Sequence, residues 1–120
     1  MLHAQKIKFK KGVVTVDGEE CLKYSTSLSN ITISSLDESQ TIYIKYIRTG
    51  VGESDGLFTK IIFVEQEKSF TSKSVIFTKK YLVKRLIQDN VIKECEFDKS
   101  KIDRFMMLYD EKIEENLIRH

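Results

Sequence analysis

The chain has 120 residues, a hydrophobic fraction of 41%, a charged fraction of 32% and a formal net charge of +2 at pH 7. This length accommodates one domain with its own core, so we expect a single domain over residues 1–120. The composition excludes a disordered or low-complexity chain, and no segment approaches the roughly 20 apolar residues that a membrane-spanning helix needs. The small net charge disfavours strong nucleic-acid binding.

Alternating and β-branched patterns predict strands over most of residues 5–65. Residues 6–10 alternate lysine with apolar residues, which is the period of a half-buried strand. Asp17-Gly18 is a strong hairpin signal, because a type I′ turn needs positive φ at both central residues. Segments 41–47 and 57–64 are rich in β-branched and aromatic residues and flank a glycine-containing loop, so we expect them to form a long-looped hairpin.

The last third of the chain shows helical periodicity. Thr78 is a suitable N-cap for a helix near 79–92, and apolar residues at helical spacing indicate a second helix at 101–118. A last strand is expected before them, at 75–77. Strands followed by helices predict an α+β fold. We expect an N-terminal antiparallel sheet of about five to seven strands, as a meander or a partly closed barrel, with two amphipathic C-terminal helices packed on it.

The second helix should supply much of the contact with the sheet. Its apolar stripe includes Phe105, Tyr109 and Ile113. Because segments 41–47 and 57–64 have apolar residues on both faces, we expect their hairpin to be central and covered on one side by helices. The sheet positions expected beneath the stripe are Ile42, Ile44, Ile62 and Val64.

Two cysteines, Cys21 and Cys95, could pair with each other. The first residues contain no apolar run typical of a secretory signal, so we expect reduced thiols in a soluble, cytoplasmic protein. A zinc site needs about four ligands with close spacing in at least one pair, which two isolated cysteines do not provide. We therefore expect neither a metal nor a cofactor.

The candidate catalytic residues do not have the spacing that a catalytic site needs. The two histidines, His3 and His120, are close to the chain ends, which usually fray. Paired carboxylates are sequence neighbours, so on a strand or a helix they diverge instead of converging on one bond. The glycine-rich loop at 50–56 leads into a predicted strand and contains Glu53 and Asp55, which would repel phosphate. We expect a protein that is not an enzyme.

Charge is unevenly distributed along the helical half. Residues 68–93 contain seven bases and one acid, a net +6, whereas residues 94–120 contain five bases and eight acids, a net −3. On the first helix we expect a basic surface that meets an acidic partner. The alternative is a solvated face whose lysines neutralise the acidic second helix. The residues of this candidate surface are Lys79, Lys80, Tyr81, Lys84, Arg85 and Gln88.

The second helix carries apolar residues outside its stripe. Met107 and Ile118 should project away from the core, beside Glu111 and Glu114. An exposed apolar pair framed by acids resembles a small interface core with a polar rim. These four residues complete the candidate partner-binding set, unless the sheet or the first helix covers them.

These observations favour a small binding protein that contacts another protein stoichiometrically, such as an inhibitor, an immunity protein or an anti-defence protein of a mobile element. The main alternative is a weak nucleic-acid-binding module that uses segment 68–93 and the lysines of 6–11, with Tyr43, Tyr46 or Tyr81 for stacking. A further alternative is a lipid- or peptide-binding barrel-like domain. No membrane partner is expected, and the oligomeric state stays open.

Overall fold

The chain forms a seven-stranded antiparallel meander followed by short helices, in a computed structural model that describes residues 6–28 and 30–118, with side chains up to residue 115. Neighbouring strands pair in sequence order, and in the described residues β1 and β7 are the two edges of an open sheet. This confirms the predicted α+β fold with an N-terminal sheet. The strands are β1 Ile7–Lys10, β2 Val13–Val16, β3 Glu19–Thr26, β4 Asn30–Ser35, β5 Thr41–Arg48, β6 Leu57–Phe63 and β7 Lys68–Ser72.

In the described part of the chain, three α-helices and a two-stranded hairpin follow the sheet. The helices are α1 Lys79–Gln88, α2 Ile102–Tyr109 and α3 Ile113–Ile118, and the hairpin pairs β8 Ile92–Lys93 with β9 Glu96–Phe97. Helices α1 and α2 pack on one face of the sheet, the inner face, where α1 contacts β1 and α2 contacts β7. Among the described helices, none combines the length and the apolar character needed to cross a membrane.

Two tight turns at the start of the sheet have the predicted backbone geometry. Asp17 and Gly18 join β2 to β3 with φ values of 53° and 85°. Lys11 and Gly12 join β1 to β2 with φ values of 51° and 82°. Positive φ at both central residues twists the chain in the sense that antiparallel strands require, which explains why these dipeptides set the register of the first three strands.

The inner face of the sheet and the inward sides of α1 and α2 form one apolar cluster. Its fully buried members include Val14, Leu22, Ile33, Ile42, Ile44, Ile61, Phe63, Phe70, Phe77, Leu82, Leu86, Ile102 and Phe105. The Phe105 ring lies 6.3 Å from Phe63 and 5.9 Å from Phe70, between ring centroids. The predicted packing of Phe105 and Tyr109 against the sheet is therefore confirmed.

The β6 positions expected beneath the helix were wrong by one residue. Ile44 pairs with Ile61 and Ile42 pairs with Phe63, so these two β6 residues share the inner face. Ile62 points to the opposite, outer face, and Val64 lies in the turn after β6. A strand that is apolar on both sides does not reveal by its pattern which side meets the helices, because a shift of one residue exchanges the faces.

The last strand of the sheet was placed wrongly. Residues 75–77 are not a strand, and β7 is instead Lys68–Ser72, which has only one large apolar side chain, Phe70. Pairing with β6 stabilises this polar sequence. In 75–77 the backbone serves other partners, since the Val75 carbonyl accepts a hydrogen bond of 3.2 Å from the Thr59 hydroxyl. Helix α1 ends at Gln88 and not near residue 92, because Asn90 adopts a positive φ of 63°.

The terminal helix predicted at 101–118 is broken into α2 and α3. Lys112 adopts a φ of 52°, and Asp110 accepts hydrogen bonds from the backbone N–H groups of Lys112 and Thr71. The backbone N–H of Glu111 donates to the Thr71 carbonyl at 2.8 Å, so the segment between the helices pairs with the edge strand β7. Ile113 therefore begins a separate helix and does not continue the stripe of Phe105. Hydrogen bonding to the sheet edge outweighs the helical periodicity of the sequence.

Cys21 and Cys95 form a disulfide, so the prediction of reduced thiols is wrong. The register of β2 and β3 shifts next to Val14, and this irregularity leaves both Cys21 and Leu22 buried. Cys95 approaches from the turn between β8 and β9, with 4.9 Å between the two Cα atoms. The cytoplasmic location was inferred from the lack of an apolar run in the first residues and stays a prediction.

Candidate functional site

Helix α1 is held by its cap and by its buried side. The Thr78 hydroxyl accepts a hydrogen bond of 3.0 Å from the Tyr81 N–H, which satisfies one of the free donors at the helix start. Leu82, Val83 and Leu86 are buried in the core. The opposite side of the helix therefore faces outward, with Lys80, Tyr81, Lys84 and Gln88 exposed. We call these four residues the α1 surface.

The Tyr81 ring is fixed at the start of the α1 surface. It packs on the buried Phe77 with 5.6 Å between ring centroids, yet 36% of the residue stays exposed. Ile76, the residue before Phe77, is exposed to a similar extent. Tyr81 thus presents an aromatic edge whose position is determined by the core beneath it.

Lys79 does not belong to the α1 surface, although it was a candidate. Its ammonium lies 5.4 Å from the centroid of Phe9 in β1 and 4.7 Å from that of Tyr24 in β3. The two rings themselves meet edge to face. A cation over aromatic faces is attracted by their quadrupoles. Lys79 therefore attaches the start of α1 to the sheet.

Arg85 is also engaged within the fold. Its Nε donates to the Tyr109 hydroxyl and its Nη1 donates to Gln88 Oε1 at 2.7 Å, and its Nη2 lies 3.6 Å from an Asp89 carboxylate oxygen. Burial alone would lower the pKa of Arg85, but the hydrogen bond to Tyr109 and the charge of Asp89 raise it. Burial also raises the pKa of Tyr109. This cluster joins α1 to α2, so Arg85 is a structural cation.

The second candidate group is not brought together on one helix face. Met107 is exposed on α2, next to the exposed Leu108. Glu111 and Glu114 lie beyond the break, and Glu114 forms a salt bridge of 2.8 Å with Lys60 on the outer face of the sheet. The side chain of Ile118 lies outside the described residues, as do His3 and His120.

Glu111 binds the loop that follows β7. Its carboxylate accepts a hydrogen bond of 2.8 Å from the Ser72 hydroxyl, and further bonds from the backbone N–H groups of Lys73 and Ser74. Burial would raise the pKa of Glu111, but these hydrogen bonds together lower it. Glu111 therefore stabilises a turn, a role that its predicted place on the outward side of the second helix did not indicate.

The glycine-rich loop leads into β6, as expected, and closes on itself. Arg48 donates from Nη1 to the Ser54 carbonyl at 2.9 Å, and the Gly50 N–H donates to the Asp55 carbonyl at 2.8 Å. A short 3₁₀ turn over Glu53–Gly56 completes the loop. The loop backbone thus serves internal partners and does not open into a helix.

Two cavities border the disulfide. One, of about 200 Å³, is lined by Val16, Glu19, Ile87 and Glu94 among others. The other, of about 410 Å³, includes Asp37 and Gln40. Hydrogen bonds from the Ser39 backbone and from the Ser35 and Ser39 hydroxyls lower the pKa of Asp37 to about 2. In the described residues, no group of three or more His, Cys, Asp or Glu side chains is arranged to hold a metal ion.

The two parts of the predicted nucleic-acid surface lie on opposite sides of the sheet. Phe9 faces the inner side, so its neighbours Lys8 and Lys10 project from the outer face, whereas α1 covers the inner face. Tyr46 donates its hydroxyl proton to the Phe77 carbonyl at 2.6 Å and packs against the core. Tyr43 is exposed on the outer face.

Comparison with known proteins adds no further constraint: no protein-family model, no curated protein and no solved structure matches this chain.

Proposed function

We propose that this chain is a non-enzymatic protein that binds another protein stoichiometrically through the α1 surface, as an inhibitor or an immunity protein does. The observation that supports this is the fixed and exposed ring of Tyr81 on Phe77. A tyrosine that is already held in place loses little conformational entropy on binding. Tyrosines in such settings are among the residues that dominate interface energies.

The lysines of the α1 surface fit an acidic partner. Lys80 and Lys84 are exposed, lie one helical turn apart and flank Tyr81. Neither takes part in a salt bridge among the residues that the structure describes. Charges of this kind at the edge of an interface mainly accelerate association and select the partner. The charge pattern therefore favours a protein whose contact surface is acidic.

A nucleic-acid partner has less support. A phosphate backbone on α1 could meet Lys80 and Lys84, with Lys11 and Lys73 in the turns at the start of this helix, but not Lys8 and Lys10 on the far face of the sheet. Each neutralised phosphate adds to affinity through counterion release, so these few lysines give only weak binding at physiological salt. The candidate stacking ring Tyr46 is engaged in the core.

The test compares three variants of the intact chain after its partner has been isolated by affinity capture and purified. Tyr81→Ala should speed dissociation roughly tenfold or more, as expected for a central aromatic contact. Lys80→Glu with Lys84→Glu should slow association by about tenfold and change dissociation less. Lys45→Glu, an exposed charge reversal on the outer face of the sheet, is the matched control and should change neither rate.

The same proteins are then titrated against fluorescent 20-nucleotide DNA and RNA at about 150 mM salt. Micromolar or tighter binding that is abolished by the double lysine variant would reject a protein partner in favour of nucleic acid. Equal binding of the protein partner by the Tyr81 variant and by the wild type would reject the α1 surface as the site.

A further inference from the structure

The meander places four connections at one end of the sheet. Because consecutive strands run in opposite directions, the connections after β1, β3, β5 and β7 all lie together, at what we call the loop end. Helix α1 begins there, after β7. Helix α2 ends there, since the backbone N–H of Glu111 donates to the Thr71 carbonyl near the end of β7.

Exposed apolar side chains are concentrated at the loop end. Among the described residues, eight large apolar or aromatic residues are exposed, and six of them belong to this end. Leu28 is fully exposed after β3, and Val51 is 75% exposed in the β5–β6 loop. The other two, Leu36 and Tyr43, lie in the β4–β5 turn and on the outer face. The six residues are Leu28, Val51, Ile76, Tyr81, Met107 and Leu108.

The loops that carry these side chains are braced by hydrogen bonds. Ser27 donates its N–H to the Asn30 carbonyl at 2.9 Å across the base of the β3–β4 turn. The β5–β6 loop is closed by Arg48 and Gly50, and the segment after β7 is bound by Glu111. These hydrogen bonds restrict the loop backbones, which reduces the conformational entropy that the loops lose on docking.

Charge decides which kind of partner suits these protruding side chains. Exposed lysines lie at the same end of the sheet, with Lys11 in the β1–β2 turn, Lys73 after β7 and Lys80 in the first turn of α1. The Val51 loop also contains the exposed acids Glu53 and Asp55, which would be repelled by an anionic bilayer or by phosphates. A second copy that docked through the same end would place the protruding tips against each other and would offer no cleft for them. A concave protein surface can instead carry acidic residues opposite the lysines and basic residues opposite Glu53 and Asp55.

We infer that the loop end is an interaction surface for a protein with an apolar cleft and a rim of mixed charge. Leu28 and Val51 insert into the cleft, the lysines of the loop end meet acidic residues of its rim, and Glu53 and Asp55 meet basic ones. This inference rests on the proposed function as a protein binder. It deepens that function, because it extends the contact from the α1 surface, which shares Tyr81 with the loop end, to the tips of two hairpins.

The first step of the test is site-specific photo-crosslinking in the cells that encode the chain. A benzophenone side chain replaces Leu28, Val51 or Met107, and Leu36 or Tyr43 in the controls. The same protein should be crosslinked from the loop-end positions and not from the controls. That protein is then purified, and its affinity for the intact chain is measured by calorimetry. Leu28→Ser with Val51→Ser should weaken binding at least tenfold, whereas Leu36→Ser, a matched exposed leucine at the opposite end, should leave it unchanged.

The remaining outcomes separate this inference from the proposed function. If Tyr81→Ala weakens binding but the double loop variant does not, the inference is wrong and the α1 surface stands. If only the loop variant weakens binding, the loop end is the site and the α1 proposal fails. The inference is also overturned if no adduct forms at any loop-end position. It is overturned as well if the wild type cosediments with vesicles of 80% phosphatidylcholine and 20% phosphatidylserine and Leu28→Ser with Val51→Ser abolishes this binding. Loss of a wild-type dimer in that variant, measured by analytical ultracentrifugation, would assign the surface to a second copy and overturn it too.

Discussion

Removal of the Cys21–Cys95 disulfide should destabilise the fold strongly. The bond joins β3 to the β8–β9 turn across a sequence separation of 74 residues. In the chain-entropy treatment, a loop of that length restricts the unfolded chain enough to contribute about 4.4 kcal/mol at 25 °C. A domain of this size has a total stability of about 5–15 kcal/mol, so the loss would be a large fraction of it.

The hairpin that carries Cys95 has little local stability to compensate. Glu94 and Cys95 form its two-residue turn with φ values of 53° and 65°. Side chains other than glycine adopt this left-handed conformation at a cost of about 1 kcal/mol each. Strands β8 and β9 pair over only two residues each. Once the bond is cut, we expect this hairpin to be among the first segments to open.

The assay is urea unfolding of the wild type with and without a dithiol reductant, and of the Cys21→Ala, Cys95→Ala double variant. At an m value of about 1.5 kcal/mol per molar urea, the unfolding midpoint should fall by about 2–3 M on reduction or substitution. Reductant should not change the midpoint of the double variant, which is the control. Amide hydrogen exchange should show the largest loss of protection in Ile92–Phe97.

The reasoning would be refuted if oxidised and reduced wild type unfolded within about 0.3 M urea of each other. It would also fail if intact protein contained two titratable thiols under native, nonreducing conditions. In either case the link between β3 and the β8–β9 turn would depend on packing alone.

Three further substitutions test other parts of the fold. Glu111→Gln should cost about 1–3 kcal/mol at neutral pH, by urea unfolding, because it loses charged hydrogen bonds to the loop after β7. Those bonds lower the pKa of Glu111 from its usual 4.5, so their contribution is complete above that pH and disappears in more acidic solution, where the variant and the wild type should converge. Phe105→Ala should cost about 3–5 kcal/mol of unfolding free energy in the same assay, against less than about 0.5 kcal/mol for the exposed control Met107→Ala. If Phe105→Ala cost less than about 1 kcal/mol, α2 would not pack on the sheet as described. Gly56→Ala should lower the melting temperature more than Gly50→Ala, because a Cβ at Gly56 would collide with Thr49 and with the Val51 carbonyl. Gly50 is the control, since it has a similar positive φ but open space around it. Equal decreases in melting temperature would show that only the backbone φ matters.

Local patterns in the sequence were sufficient for the strands up to β6 and for the start of α1. Asp17-Gly18 and the β-branched segments that became β5 and β6 encode their turn and strands through the conformational preferences of neighbouring residues. The same holds for the Thr78 cap of α1. These local patterns also predicted the α+β architecture, because strands followed by amphipathic helices can bury their apolar faces in few other ways.

Contacts between distant residues decided the features that the patterns missed. Strand β7 exists through its pairing with β6, and the break after Tyr109 exists because Asp110 and Glu111 bind the residues around Thr71 and Ser72. The local charge pattern indicated neither, since a hydrogen-bond partner some 40 positions away leaves no periodic signal.

The candidate α1 surface shows the same contrast between what local patterns predict and what tertiary contacts decide. Sequence reasoning grouped Lys79 and Arg85 with Lys80, Tyr81 and Lys84, because all five belong to one basic helix. Only tertiary structure separates them, since aromatic rings of β1 and β3 hold Lys79 and a tyrosine of α2 holds Arg85. Composition and periodicity determine which side of a helix is polar. Which of its charges stay available to a partner depends on the elements that pack beside it, and those are brought there by the fold.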